Sequence, residues 1–383
     1  MDKPTGVVIG RYVAQPKGYK AFMPDSFPPN IQMNNLSNET LSILELAASA
    51  LGKLDGIAEL LPDLDFFLYM YVRKEAAYSS EIEGTQATMI DAIRREIVDD
   101  AHLPSDVINI IKYIDALNQG MSRIKKLPIS SRFIKELHET ILKDTPDEVG
   151  RTPGQFRTSQ NWVGGATIET AQYIPPPQSE INRCMSDLDK YIHSTARYSE
   201  LIKVALIHAQ FETIHPFLDG NGRTGRLLIP VYLCHAGRLE RPVLYLSVYF
   251  KKNRDTYFQH LTDYHDRGLV DSWIHFFCQG VCEVADSAIE TAREINKLKK
   301  ADEEKLRTLS PKRKVSADKL YPQLFSFPIV TAAYAEKITG LSRPASNQLI
   351  KDFARLEILE QRGRGKYARE FAYKKYLSLF TNA

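Results

Sequence analysis

The amino-acid sequence predicts a mainly α-helical fold. Apolar residues recur at helical spacing over residues 38–58, 65–99 and 104–125, as expected of helices with one buried face. Residues 201–211 show the same spacing, and a second apolar run, residues 227–234, follows shortly after. One stripe of the first run is formed by Leu201, Val204, Ala205, His208 and Phe211. We therefore expect two adjacent helices in this part of the chain, joined by the residues between the runs.

Composition is typical of a globular protein. The chain has 383 residues, which suggests two or three domains, with 43% apolar and 25% charged residues. A net charge of +3 gives no global signal for nucleic-acid binding. The first residues lack an apolar leader and no stretch of 18 apolar residues occurs, so we expect neither export nor a membrane span. Four cysteines are too few and too badly spaced for a disulfide framework, which favours the cytoplasm.

Residues 215–226, between the two apolar runs, contain the closest grouping of candidate catalytic and phosphate-binding residues in the chain. We expect a loop here, with residues 223–226 opening the second helix. The stretch combines an imidazole, a carboxylate, an amide, three glycines and two guanidinium groups: His215, Asp219, Asn221, Gly220, Gly222, Gly225, Arg223 and Arg226. This set suits a site that holds a polyphosphate and deprotonates a hydroxyl beside it.

Each residue type has a physical task at such a site. A helix N-terminus attracts phosphate through its unpaired N–H groups, and glycines let the main chain approach a ligand closely. Arg223 and Arg226 lie three apart on one helix face, where each guanidinium can bind a phosphate. The pKa of a histidine suits His215 to be a general base. Asp219 can hold a Mg²⁺ ion, and Asn221 offers an amide donor where charge develops.

Three other interpretations of the motif were weighed. A calcium loop is excluded, because Arg223 takes a ligand position and Pro230 replaces the bidentate glutamate. A zinc site from His208, His215 and Asp219 is disfavoured, since nearby arginines would oppose the charge of the metal. A plain turn between helices remains open, but two arginines and three glycines exceed what a connector needs.

The stretch His215 to Arg226 resembles the signature of the Fic family (filamentation induced by cAMP), His-x-Phe-x-Asp/Glu-Gly-Asn-Gly-Arg-x-x-Arg, and meets every fixed position. The resemblance implies an all-helical core that transfers AMP from ATP to a hydroxyl side chain of a protein. The resemblance also implies that His215 deprotonates the target hydroxyl and that Asp219 holds Mg²⁺. The implied ATP-binding residues of the motif are Gly220, Asn221, Gly222, Arg223, Thr224, Gly225 and Arg226, with the arginines on the β- and γ-phosphates.

A second segment, Ser79-Ser80-Glu81-Ile82-Glu83-Gly84, resembles the inhibitory motif Ser/Thr-x-x-x-Glu-Gly/Asn that many Fic proteins carry. Ser79 and Glu83 are four apart and share a helix face. The resemblance implies that Glu83 pairs with Arg226, disturbs the γ-phosphate and so misorients the α-phosphate. Its place before the core implies the subclass whose inhibitory helix lies upstream.

Two further segments resemble parts of the family's nucleotide and target sites. Residues 161–165 and 171–177 look like two short strands of a flap, a β-hairpin that lies over the nucleotide and binds the backbone of the target. Tyr257 and Phe258 align with an aromatic pair near the adenine. An ordinary surface hairpin and a plain core position, respectively, are the alternatives.

The C-terminal segment resembles a winged helix-turn-helix module. A short helix over residues 331–340 ends at a glycine, Ser342 caps a second helix, and residues 359–367 look like a basic hairpin. Candidate DNA contacts are Arg343, Ser346, Asn347, Gln348, Lys351, Arg362, Arg364 and Lys366. Such modules also dock proteins or form homodimers, so both uses remain open.

These observations predict four regions. Residues 1–110 form an N-terminal arm with the inhibitory helix, 111–295 the catalytic core, 296–314 a linker and 315–383 the winged-helix-like domain. We expect an adenylyltransferase that modifies an unidentified protein, or itself, and is restrained by Glu83. The alternatives are a Fic enzyme that removes AMP and a DNA-binding regulator that senses nucleotide.

Overall fold

Helices dominate the computed structural model, which describes residues 6–29, 36–60, 64–97, 104–195, 198–362 and 369–381. The predicted mainly α-helical class is confirmed. None of the described helices is both long and apolar enough to cross a bilayer.

The N-terminal arm contains a regular hairpin. Strands β1 (Gly10–Ala14) and β2 (Lys20–Pro24) pair antiparallel, with Tyr12 opposite Phe22. The Phe22 side chain is buried in the main core. The consecutive buried residues Ala21 and Phe22 of β2 therefore attach the arm to the helical body.

Five helices follow the arm: α1 (Asn38–Leu60), α2 (Leu64–Ile82), α3 (Met89–Ile97), α4 (Val107–Arg123) and α5 (Ser131–Leu142). The single helical pattern predicted over residues 65–99 is in fact interrupted between α2 and α3. Gly84 adopts φ 101°, a left-handed conformation that ends a helix at little cost only for glycine. Thr88 then starts α3, since its N–H and hydroxyl both donate to the Asp91 carboxylate. The apolar period continues through this turn, which is why the sequence pattern missed it.

The core is built around α7 (Glu200–Ile214), which is buried on all sides between Leu201 and Phe211. It packs against α6 (Ile181–His193) and α8 (Asn221–His235), and the Trp273 indole donates to the Ala205 carbonyl at 2.8 Å. After α8 come α9 (Ser247–Lys252), α10 (Arg254–Arg267) and the long helix α11 (Val270–Leu306). A helix that is buried on every face lies inside the fold, so α7 determines where the loop after it begins.

The C-terminal region places five helices beside a small sheet: α12 (Pro311–Leu320), α13 (Gln323–Ser326), α14 (Ala332–Thr339), α15 (Arg343–Arg355) and α16 (Lys374–Thr381). The sheet is antiparallel with strands β3 (Ile329–Val330), β5 (Glu370–Ala372) and β4 (Glu360–Arg362) in that order. The two helices expected at residues 331–355 are α14 and α15.

The structure bears on only some of the candidate DNA contacts in this region. Ser346 is buried, because it lies on the packed face of α15, so its predicted contact is wrong. Arg343 pairs with Glu336. Arg364 and Lys366 lie outside the described residues. DNA binding stays a prediction.

The linker expected at residues 296–314 is mostly helical. Helix α11 continues to Leu306 and α12 begins at Pro311. Asp302 is fully buried and accepts a hydrogen bond from the Tyr373 hydroxyl at 2.6 Å. The run of charges therefore marks an exposed face of a continuous helix, and a buried polar contact attaches the C-terminal region to it.

Candidate active site

The expected loop joins α7, which ends at Ile214, to α8, which begins at Asn221. His215 closes α7 in a left-handed conformation (φ 49°, ψ 59°), and its N–H donates to the Phe211 carbonyl at 3.0 Å. Histidine is one of the few residue types other than glycine that tolerates this region. The turn leaves the His215 side chain 20% exposed at the mouth of the loop.

Two side chains that we expected to contact a ligand instead brace this loop. The Asn221 amide oxygen accepts from the Phe217 N–H, and its amide nitrogen donates to the Phe217 carbonyl, both at 2.9 Å. The Thr224 hydroxyl and N–H both donate to the Gly220 carbonyl. The predicted ligand contacts of these side chains are corrected accordingly, because buried polar groups in a tight turn bond first to the backbone around them.

His138, which the sequence did not single out, supports the loop from α5. Its Nδ1 accepts from the Gly154 N–H at 2.9 Å, so its Nε2 carries the hydrogen and donates to the Asp219 carbonyl at 2.9 Å. The ring stacks on Phe217 with centroids 3.7 Å apart. Burial lowers the pKa of His138 to about 4, so the ring stays neutral. Its one signal in the sequence is its position on the apolar face of a helix.

The segment before the loop is tied to the backbone of the motif. The Arg157 guanidinium donates to the His215 carbonyl at 3.0 Å and also to the Pro176 carbonyl. The Asn161 amide donates to the Phe217 carbonyl at 2.8 Å, and the Tyr173 hydroxyl donates to the Thr213 carbonyl at 2.7 Å. These bonds fix the base of the predicted flap beside His215.

The flap itself is less regular than predicted. In place of two strands, the structure has one bridge between Val163 and Tyr173 and a short helical turn at Ile168–Thr170. Gly164 and Gly165 take left-handed angles, and residues 175–177 are prolines without an N–H to donate. Neither the glycine pair nor the proline run can continue a strand ladder, so the pairing stops after one bridge.

The His215 imidazole is neutral at physiological pH. Burial and the positive charge of Arg157 lower the pKa of His215 to about 4. Glu212, one turn earlier on α7, has a carboxyl oxygen 4.0 Å from His215 Nδ1, and burial raises the pKa of Glu212 to about 8. The second carboxyl oxygen of Glu212 has no hydrogen-bond partner in the described part of the chain. The imidazole can thus accept a proton, and beside it lies a carboxyl group that the sequence did not reveal.

Arg226 is almost fully buried and points at the end of α2. It donates to the Ser79 hydroxyl and the Ser79 carbonyl, each at 2.9 Å, and to the Glu83 carboxylate at 2.6 Å. Burial raises the pKa of Glu83, but the charge and hydrogen bond of Arg226 outweigh it, so the pKa lies below its usual range. Glu83 is therefore an anion, and its predicted pairing with Arg226 is present.

The Glu83 carboxylate also lies over the N-terminus of α8. A Cβ placed on Gly222 would come within 2.1 Å of the carboxylate oxygen, an approach that only glycine permits. The N–H groups of Asn221, Gly222 and Arg223 begin α8, where a helix has no internal acceptors to offer. An anion already lies at this end of the helix, in agreement with its partial positive charge.

The other glycines of the motif have local tasks. Gly220 takes the left-handed angle (φ 71°) that turns the chain into α8. Gly225 packs against Phe211 and Glu212 of α7, so its expected approach to a ligand is corrected.

Arg223 lies on the neighbouring face of α8 and is also buried. One of its terminal nitrogens is 2.8 Å from the Asp147 carboxylate, while Nε and the other terminal nitrogen have no hydrogen-bond partner among the described residues. Buried guanidinium donors are rarely left unpaired. The unpaired donors of Arg223 fit the oxygens of a phosphate, which is the role that the sequence predicted.

Asp219 is the candidate Mg²⁺ ligand. Its carboxylate is 40% exposed, with one oxygen accepting from the Gly220 N–H and the other 3.4 Å from Arg151. The described residues contain no cluster of three groups that could hold a metal alone. Mg²⁺ is commonly held by one or two carboxylates together with substrate phosphates and water, so a single carboxylate beside a phosphate site fits this ion.

The aromatic pair expected near an adenine is not available as predicted. Tyr257 is 1% exposed, stacks on Phe250, and its hydroxyl lies 2.8 Å from His208 Nε2. Its predicted contact with the base is therefore wrong, because it belongs to the core beneath Arg226. The ring of Phe258 is only partly buried and lies under the Arg254 guanidinium, so it remains a candidate.

Two family models match the chain in succession. One described as Fic/DOC family matches residues 128–233, and one described as Fic/DOC family N-terminal matches residues 41–122. Among curated proteins, "Protein adenylyltransferase Fic" of Drosophila melanogaster is 26% identical over 249 residues, 62% of this chain and 45% of that protein. The protein of the same name from Drosophila willistoni is 31% identical over 170 residues, 43% of this chain and 29% of that protein. The chain therefore spans less than half the length of these relatives.

Solved structures share the fold. A Fic family protein from Desulfovibrio desulfuricans G20 superposes with a TM-score of 0.56 at 16% identity, over 88% of this chain and 96% of that one. A Fic domain containing signaling protein from Bacteroides thetaiotaomicron VPI-5482 gives 0.53 at 19% identity, over 66% of this chain and 97% of that one.

Proposed function

The chain belongs to the Fic family, and on that premise we propose that it is a protein adenylyltransferase. It transfers AMP from ATP to a Ser, Thr or Tyr hydroxyl of a protein, or of itself, and releases pyrophosphate. The four cysteines are free thiols, which supports a reducing compartment, the cytoplasm.

In the chemical step, His215 acts as the general base. The oxygen of the target hydroxyl attacks the α-phosphorus of ATP, its proton passes to the neutral imidazole, and the bond from the α-phosphorus to the bridging oxygen breaks. That oxygen leaves with the electron pair as part of pyrophosphate. The neutral state of His215 supports this role, and its backbone is held by Arg157.

The polyphosphate would lie along the start of α8. Arg226 and the unpaired donors of Arg223 would bind the β- and γ-phosphates, and the first N–H groups of α8 the α-phosphate. Asp219 would hold Mg²⁺, which neutralises phosphate charge as the bond breaks. The flap base beside His215 supports binding of an extended target segment.

The observation that carries the proposal is the Glu83 carboxylate over Gly222, bonded to Arg226. An internal anion lies where a phosphate of ATP would have to lie, next to a neutral imidazole. The same contact supports autoinhibition, because Arg226 cannot bind Glu83 and a phosphate with the same nitrogen. ATP would then bind with its α-phosphate badly aligned.

Labelling tests the reaction. We expect the purified Glu83→Gly chain with Mg²⁺ and α-labelled ATP to acquire protein-bound label. Adding His215→Ala should lower this labelling by about 10²-fold or more, since a general base contributes on that order. ATP labelled in the γ-position should leave the protein unlabelled. Absence of label from Glu83→Gly with either a cell extract or itself as target would contradict the proposal for ATP.

A further inference from the structure

A second cavity lies behind α2, on a different side of the helix from Ser79 and Glu83. It encloses about 620 Å³ between α2, α9 and α11. Tyr71, Lys74, Glu75 and Tyr78 contribute its α2 wall. At about 100° per residue, their mean direction lies roughly 110° around the helix from that of Ser79 and Glu83. The cavity is therefore separate from the site at the start of α8.

Lys74 places a positive charge on the wall of this cavity. The residue is 6% exposed, and its ammonium group has neither an ion pair nor a hydrogen bond among the described residues. Its nearest electrostatic neighbours are the ring faces of Tyr71 and Tyr78, each 6.0 Å away. The adjacent Glu75 does not compensate it, because the Glu75 carboxyl group is bonded to Tyr113 and Ser247. An ammonium group on the wall of an aromatic cavity, without a counter-ion among the described residues, attracts anions, so an anionic ligand fits this wall.

The other walls indicate the rest of the ligand. Tyr245 lines the cavity, and its buried hydroxyl has no hydrogen-bond partner in the part of the chain that the structure describes. Tyr71, Tyr78 and Tyr249 supply aromatic surface around it. The rim lysines already have partners, Lys251 with Glu81 and Lys252 with Glu283. The unmatched groups inside are thus one cation and one hydroxyl, within an aromatic lining.

We propose that this cavity binds a small planar aromatic anion, with its carboxylate or phosphate on Lys74 and Tyr245 and its ring among the tyrosines. Burial lowers the pKa of Lys74 to about 8, which still leaves the amine largely protonated at neutral pH. The volume suits a ligand of one or two rings. Nothing in this binding depends on AMP transfer. Its consequence does rest on the proposed function: a ligand packed against α2 would hold that helix, and with it Glu83, in place.

Titration calorimetry of the full chain with 2-naphthoate, in the absence of ATP, tests the site. We expect one saturable site per chain, and binding of the neutral analogue 2-naphthamide about tenfold weaker or more, because it cannot form the charged contact. Lys74→Met should weaken naphthoate binding by a similar factor. Lys190→Met, an exposed lysine elsewhere, should leave it unchanged.

The Lys74→Met variant is expected to fold, since it removes an uncompensated buried charge and fills its volume. Should it fail to fold, Tyr245→Phe serves instead and should weaken naphthoate binding severalfold. Equal binding of acid and amide, equal binding by parent and Lys74→Met, or no saturable binding would each overturn the proposal.

Discussion

Arg226 carries its charge inside the protein, and the groups around it decide what it can bind. Ser79 orients the guanidinium through its hydroxyl and carbonyl, and Glu83 neutralises it. Arg226 is buried, whereas the Glu83 side chain is 39% exposed. Removing Glu83 would leave the guanidinium buried without its counter-ion, which is costly. The guanidinium therefore needs an anion, and under the proposed function the exchange of Glu83 for a phosphate would be the switch.

At the same scale, Glu212 gives a pH test. Burial raises its pKa to about 8, whereas the unfolded chain ionises it near its ordinary value of 4.5. The raised pKa therefore adds to the free energy of unfolding. This stabilisation is complete below pH 4.5 and is lost as pH rises towards 8. Replacing Glu212 by glutamine removes this loss. We expect Glu212→Gln to exceed the parent in unfolding free energy at pH 8.5 by about 2 kcal/mol or more, measured by urea denaturation.

The matched control for that experiment is Glu39→Gln, at an exposed position in the first turn of α1. Its unfolding free energy should stay within about 1 kcal/mol of that of the parent at pH 5 and at pH 8.5, since a charge at an exposed helix start contributes no more than that. If the difference between Glu212→Gln and the parent does not grow from pH 5 to pH 8.5, the buried carboxyl does not titrate as described.

The start of α8 is the element on which the site depends. Its first N–H groups can face a ligand because Gly222 has no side chain there. Helix α2 brings Glu83 to this helix start because the helix ends at Ile82 and the chain turns at Gly84. Both features are properties of helix ends, where unpaired backbone groups and left-handed turns occur.

A methyl group at Gly222 should therefore disturb the chain both when Glu83 is in place and when a phosphate is bound. It would collide with Glu83 in the parent and with a phosphate when Glu83 is absent. In the Glu83→Gly background we expect Gly222→Ala to lower the rate of label transfer by about tenfold or more. Gly52→Ala, in a part of α1 with open space around the glycine, should leave the rate unchanged. Equal rates for the two alanine variants would contradict a close approach of ligand at Gly222.

At the level of the whole molecule, sequence patterns were informative where a periodic or chemical signal was strong. The helical class, a loop that begins at His215 and the pairing of Glu83 with Arg226 were predicted from spacing and from the motif resemblance, but the second helix opens at Asn221 and not at Arg223. His138 and Glu212 were missed because a polar residue on an apolar helix face looks the same whether it is inert or supports a site. Asn221 and Tyr257 were assigned to ligand contacts. In the structure, the Asn221 side chain bonds to the backbone of Phe217, and Tyr257 is buried in the core beside His208.

The linker illustrates a different limit. Residues 296–306 are rich in charge, yet Asp302 and Leu306 are buried and the helix is continuous. Composition averages over all faces of a helix, so it could not reveal that one face is packed against the C-terminal region.

The central claim is that Glu83 occupies the place of a phosphate of ATP, and one comparison of rates tests it most directly. The initial rate of label transfer from α-labelled ATP at saturating concentration should rise about tenfold or more in Glu83→Gly. Glu81→Gly makes the same change two residues earlier, where the carboxylate binds Lys251 and not Arg226, and its rate should stay close to that of the parent. A folded Glu83→Gly chain no faster than the parent, or an equal rise in Glu81→Gly, would contradict the account.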